Sequence, residues 1–116
     1  MPKNNILWIM VDQMNAECLS AAGHPVVRTP HLDALAGEGI RFENAYCNFP
    51  QCTPSRLSML FGQYCKNTRQ YGFHGRMKNE FPHVFEIFRD NGYRTGAFGK
   101  LHIDPLGPYF TPDVCA

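Results

Sequence analysis

Ile6-Leu7-Trp8-Ile9-Met10-Val11 is an unbroken apolar run that stops at Asp12-Gln13. Six apolar residues in succession, three of them aliphatic and β-branched, predict a strand buried on both faces, as in a parallel sheet. The segments downstream repeat the same theme. Thr29-Pro30 reads as a helix N-cap followed by proline at the first helical position, with Leu32, Leu35 and Ala36 on one face and Gly39 as the stop. Arg41 to Cys47 has the composition of a short strand. Pro54 reads as a first helical residue, and Leu57, Leu60, Phe61 and Tyr64 follow at i, i+3, i+4, i+7. Pro82 opens a third helix, whose stripe of Phe81, Val84, Phe85 and Phe88 reads as core and which ends near Gly92. Tyr93 to Gly99 reads as a second parallel strand. Strand, helix, strand, helix, helix, strand is an α/β pattern.

Composition narrows the function classes. The chain has 116 residues, 44% of them apolar, and a formal net charge of +1. That is one domain's length with enough apolar material for a core, which excludes wholesale disorder. A near-neutral balance argues against nucleic acid or an anionic membrane as a partner held by bulk charge. No apolar run approaches the roughly 20 residues of a membrane-spanning helix. Residues 6–11 are too short for a signal-peptide core and lack a small-residue cleavage site, so cytoplasmic residence is the expectation. The five cysteines (Cys18, Cys47, Cys52, Cys65, Cys115) contain no C-x-x-C pair. All but Cys52 read as reduced, mostly buried thiols.

Ligands of open parallel sheets bind beyond the carboxyl ends of the strands. Asp12-Gln13 follows the first predicted strand, and Lys100-Leu101-His102 follows the last, so groups suited to metals and anions fall where a site belongs. Cys52-Thr53-Pro54-Ser55-Arg56 is the third element. Proline at 54 puts Cys52 at or just before the N-cap, facing free N–H groups and the positive end of the helix dipole. An anion such as sulfate or phosphate suits that position, with Arg56 adding a charged fork. On these residues alone two readings stay open: a thiolate nucleophile beside an anion cradle, or a helix start that carries a buried thiol.

Cys52-x-Pro54-Ser55-Arg56 resembles the signature of the type I sulfatases, formylglycine-dependent enzymes of the alkaline phosphatase superfamily. Three further segments resemble that family in the same order: residues 5–13, residues 29–46, and Gly92 to His102 with its Gly99-Lys100-x-His102. The resemblance implies an alkaline-phosphatase-like, mainly parallel sheet flanked by helices, of which this chain is an incomplete N-terminal portion. It implies that a maturation enzyme oxidises Cys52 to formylglycine, and that Asp12, Gln13 and the modified Cys52 hold one Ca²⁺ or Mg²⁺. The hydrated aldehyde then attacks the sulfur of a small-molecule sulfate ester and expels the alcohol. Sulfate leaves by C–O cleavage, an internal exit that the ester of a plain serine lacks. The resemblance further implies that Lys100 and His102 contact the sulfate oxygens, and that Arg56 holds the formylglycine side chain or the metal-bound oxygen in place.

Asp12-Gln13 departs from the consecutive aspartates of many sulfatases. It resembles the choline-sulfatase and phosphonate monoester hydrolase branch, which makes phosphonate monoester or phosphodiester cleavage the runner-up. The competing expectation from another class is a non-catalytic truncated interaction module. An incomplete sheet is expected to associate through exposed edges or faces, and the isolated chain is expected to be inactive. His24, His31, His74 and His83 read as surface or structural.

Overall fold

The computed structural model describes residues 4–73, 81–103 and 112–115. The chain divides into two compact units, Met1–Ala45 and Tyr46–Ala116.

In the first unit the expected opening strand does not form. Residues 6–11 have no ladder partner among the described residues, and all six side chains are exposed, from 42% at Met10 to 84% at Leu7. A strand exists through its neighbours' hydrogen bonds. The apolar run carries the demand for burial, and no described element of this unit meets it. Residues 41–47 likewise form bends and irregular backbone in place of the short strand predicted there. Helix α1, Pro30–Glu38, does form, with Thr29 as N-cap and proline in its first turn. Its apolar face is not core: Leu32 is 41% and Leu35 65% exposed.

The Thr29 hydroxyl, expected to cap α1, is engaged elsewhere. It donates to Asp33 Oδ1 at 2.9 Å and accepts the Ser20 N–H at 3.0 Å. Ser20, in the 3₁₀ turn Ser20–Ala22, donates through its hydroxyl to Asp33 Oδ2 at 2.5 Å, and the Ala21 N–H donates to Oδ1 at 3.0 Å. These donors, led by the Ser20 hydroxyl, hold the Asp33 carboxyl below the usual carboxylate range against a smaller opposing effect of burial.

The second unit contains the core. Helix α2, Cys52–Phe61, buries Leu57, Leu60 and Phe61, which cluster with Ile103; Met59, Phe81, Val84, Phe85 and Leu101 pack on that cluster while remaining partly exposed. Gly62 stops α2 in the left-handed conformation (φ 59°), a backbone state that glycine reaches at little cost. Tyr64, expected to extend the helical stripe, therefore leaves it and is 62% exposed. A short helix α3, Cys65–Thr68, follows, and the Cys65 thiol lies 3.2 Å from the Ser58 hydroxyl of α2.

Helix α4, Val84–Asp90, begins two residues after Pro82. His83 is its N-cap: Nδ1 accepts the Glu86 N–H at 3.3 Å, while Glu86 Oε2 accepts the His83 N–H at 3.2 Å. This reciprocal pair is a capping box with an imidazole in the place usually held by a hydroxyl. The ring is 1% exposed and stands edge-on to Phe61 at 5.8 Å, so its structural reading holds. Phe88 packs edge-on to Tyr93 at 5.1 Å, to the side of the main cluster.

The α/β class is realised sparingly. Of the strand expected at 93–99, only Gly96–Ala97 (β1) is extended and paired. It runs parallel to Val114–Cys115 (β2), with Gly96 opposite Val114. Asp113 anchors the pair: its Oδ2 accepts the Thr95 N–H at 2.6 Å and the Thr95 hydroxyl at 2.9 Å. These bonds draw the Asp113 carboxyl below its usual range. Among the described residues no helix is long and apolar enough to cross a membrane.

Candidate functional site

The helix that carries Cys52 starts earlier than the sequence suggested. Gln51 is the N-cap, Cys52 the first helical residue and Pro54 the third. Proline is tolerated at any of these positions, because none of the first N–H groups has an intrahelical acceptor. Its place therefore marks the first turn without marking the first residue. The Ser55 N–H to Gln51 carbonyl bond, 3.0 Å, is the first of the helix. The Gln51 side chain makes no cap hydrogen bond, so the N–H groups of Cys52 and Thr53 lie at an end without a side-chain cap. Cys52 is half-buried and Thr53 is 1% exposed. The Thr53 hydroxyl has no hydrogen-bond partner among the described residues.

Arg56 stands one turn after Cys52 on the same helix face. It is 6% exposed, and its Nη1 donates to the carbonyl of Lys100. The signature helix is thereby tied to the Gly99-Lys100-x-His102 segment, which lies 44 residues away in sequence. Gly99 is at φ 82° and His102 at φ 50°. Two left-handed residues within four make this a sharply folded loop, in which the Lys100 and His102 side chains are exposed. The His102 ring stacks on Phe73, with centroids 5.4 Å apart and planes 15° from parallel.

Four of the six expected site residues, Cys52, Arg56, Lys100 and His102, thus fall in one compact unit. Asp12 and Gln13 belong to the other unit, where they form an exposed turn with Gln13 at φ 58°. The turn sits where a strand end was expected, but the strand is missing. A carboxylate and an amide oxygen are donors of the type that Ca²⁺ and Mg²⁺ take. Both side chains reach solvent, so they suit two positions of such a shell. Among the described residues no three His, Cys, Asp or Glu side chains cluster to hold a metal.

The expectation of mostly buried thiols needs correction. Of the four cysteines other than Cys52, Cys65 is buried, Cys18 is half-buried and Cys47 is exposed, each as a free thiol, while the side chain of Cys115 lies outside those described. Cys47 lies in the irregular segment where a short strand was expected. His74 lies outside the described residues. Phe73 carried no signal in the sequence, since it belongs to no periodic stripe or motif.

The Sulfatase family profile matches residues 4–108. An ulvan-active sulfatase from Formosa agariphila is 43% identical over 88% of this chain and 20% of its own length. A choline-sulfatase from Rhizobium meliloti is 37% identical over 91% of this chain and 20% of its own. The chain thus spans about a fifth of the length of these curated relatives. Among solved structures, the phosphonate monoester hydrolase of Agrobacterium radiobacter superposes with a TM-score of 0.75 at 30% identity, over 84% of this chain and 21% of that one. That likeness places the fold among the alkaline-phosphatase-like hydrolases. With its signature helix, its Lys-x-His loop and a profile match over most of its length, this chain belongs to the sulfatase family.

Proposed function

We propose that this chain carries the nucleophile-bearing part of a sulfuric ester hydrolase, in which Cys52 acts after oxidation to formylglycine. The single observation that carries the reading is the bond from Arg56 to the Lys100 carbonyl. It couples the Cys-x-Pro-Ser-Arg turn to the Gly99-Lys100-x-His102 segment, which carries a cation and an imidazole at the expected spacing.

The residues divide the work by chemistry. The uncapped N–H groups at the start of α2 and the helix dipole favour a tetrahedral anion beside residue 52. Lys100 supplies a positive charge, and a His102 nitrogen supplies a directional hydrogen bond to a sulfate oxygen. Buried Arg56 holds the loop that presents both. Asp12 and Gln13 are the oxygen donors for a Ca²⁺ or Mg²⁺ ion. A bound divalent cation supplies Lewis acidity, which lowers the cost of an oxyanion at neutral pH. An aldehyde hydrate at position 52 offers one oxygen for attack on sulfur and a second for expelling sulfate afterwards.

The test is production with a formylglycine-generating enzyme, followed by peptide mass measurement across residues 47–56 and labelling with an aldehyde-reactive hydrazide. Conversion of the thiol to an aldehyde is expected; a fully retained thiol overturns the mechanism. A second reading, cleavage of phosphonate monoesters or phosphodiesters, is favoured by the likeness to phosphonate monoester hydrolase and by Asp12-Gln13. Turnover of p-nitrophenyl sulfate against p-nitrophenyl phenylphosphonate, on one preparation of the whole hydrolase to which this part belongs, separates the two.

A further inference from the structure

We propose that Phe73 is a positioning residue for His102, an aromatic plate that sets the plane of the imidazole and leaves both ring nitrogens for the substrate anion. The proposal rests on the reading of His102 given above and adds a residue to it.

An exposed histidine on a loop normally samples several rotamers, and each one aims its nitrogens differently. A hydrogen bond is the usual way to select one, but it occupies a nitrogen. Among the described residues, His102 has no hydrogen bond or ion pair through its side chain, and its ring partner is Phe73. The two rings lie 15° from parallel at a centroid separation of 5.4 Å, within the range of an offset stack. Stacking restrains the plane of the ring while the edge, where both nitrogens lie, stays available. The backbone agrees with this role. His102 adopts φ 50°, an uncommon conformation for a residue with a Cβ, so the loop and the stack together fix where the ring stands.

Phe73 itself is 47% exposed and is absent from the buried cluster around Leu57 and Phe61. A ring whose purpose is core packing gains by full burial. This one leaves nearly half its surface in water and places one face against the histidine.

The test uses the whole formylglycine-bearing hydrolase to which this part belongs, with Phe73→Ala, Phe73→Leu and Phe73→Tyr. The first readout needs no turnover: the His102 ring protons, assigned by comparison with His102→Ala. The aromatic face is expected to shift them upfield. Phe73→Ala and Phe73→Leu are expected to abolish that shift, and Phe73→Tyr to retain it. Resonances that stay in place in Phe73→Ala overturn the proposal. In the second readout, Phe73→Ala lowers kcat for p-nitrophenyl sulfate on the order of ten-fold with little change in KM, the signature of a misaimed group. Phe73→Tyr restores kcat, and Phe73→Ala adds nothing in a His102→Ala background. Equal losses in Phe73→Ala and Phe73→Tyr, or additive losses with His102→Ala, overturn the proposal. A ring shift that behaves as expected in a parent protein inert toward sulfate esters rejects the functional reading and leaves the stack standing.

Discussion

At position 52 the outcome depends on which atoms the side chain offers. In the whole hydrolase to which this part belongs, Cys52→Ala is expected to remove both the aldehyde and all turnover. Cys52→Ser is expected to keep a nucleophilic oxygen yet stall after one sulfuryl transfer, because its ester has no second hydroxyl with which to expel sulfate. Intact-mass measurement after substrate exposure checks this as a retained sulfate on the Cys52→Ser protein. Asp33 gives a prediction about pH. Its folded carboxyl titrates below the usual range because Ser20, Thr29 and Ala21 donate to the ionised form. The stability it contributes is therefore fully present above the ordinary carboxylate pKa and is lost as pH falls through the lowered folded value. Carbon-13 titration of the Asp33 carboxyl is expected to show the low midpoint. Ser20→Ala, which deletes the donor with the largest effect, is expected to move that midpoint upward.

Among the elements, α2 holds the second unit together and presents the site. Leu57, 3% exposed, is the most deeply buried member of the apolar cluster. Leu57→Ala is expected to cost about 2–5 kcal/mol through lost burial and the cavity left behind, read as a lower urea midpoint with an unchanged slope. Helix α4 depends on its unusual cap. His83→Ala is expected to cost about 1 kcal/mol from the lost cap alone, and more through its packing on Phe61. His83→Asn, which retains a short acceptor, is expected to recover part of this loss in the same urea titration.

These elements also show what the pattern of residues could reveal. Helices α1, α2 and α4 were legible because proline at the start and glycine at or beyond the end are local requirements of the backbone. The exact start of α2 was not legible, since three positions accept proline equally well. Helix α3 was missed because a four-residue helix carries too little periodicity to register. The imidazole cap of α4 was missed because histidine seldom takes that place.

For the whole molecule, the exposed run 6–11 governs solution behaviour. A contiguous apolar segment in water favours association. The 116-residue chain is expected to elute as concentration-dependent oligomers, with Trp8 fluorescence moving to the blue as they form. Leu7→Lys, at the most exposed position of the run, is expected to weaken that association in sedimentation velocity. A monomer at all concentrations in the parent chain contradicts this.

The sequence by itself determined helices α1, α2 and α4 and the types of chemical group at the site, and its motifs identified the family. Those features depend on neighbours along the chain: the φ of proline, the freedom of glycine, the acidity or basicity of a side chain. Tertiary structure decided whether an apolar run becomes a strand, because a strand needs hydrogen-bonding partners from elsewhere in the chain. It also decided that Arg56 reaches the Lys100 carbonyl and that His102 rests on Phe73. No periodicity encodes either contact, since each joins residues far apart in sequence whose meeting is set by how the intervening chain folds back.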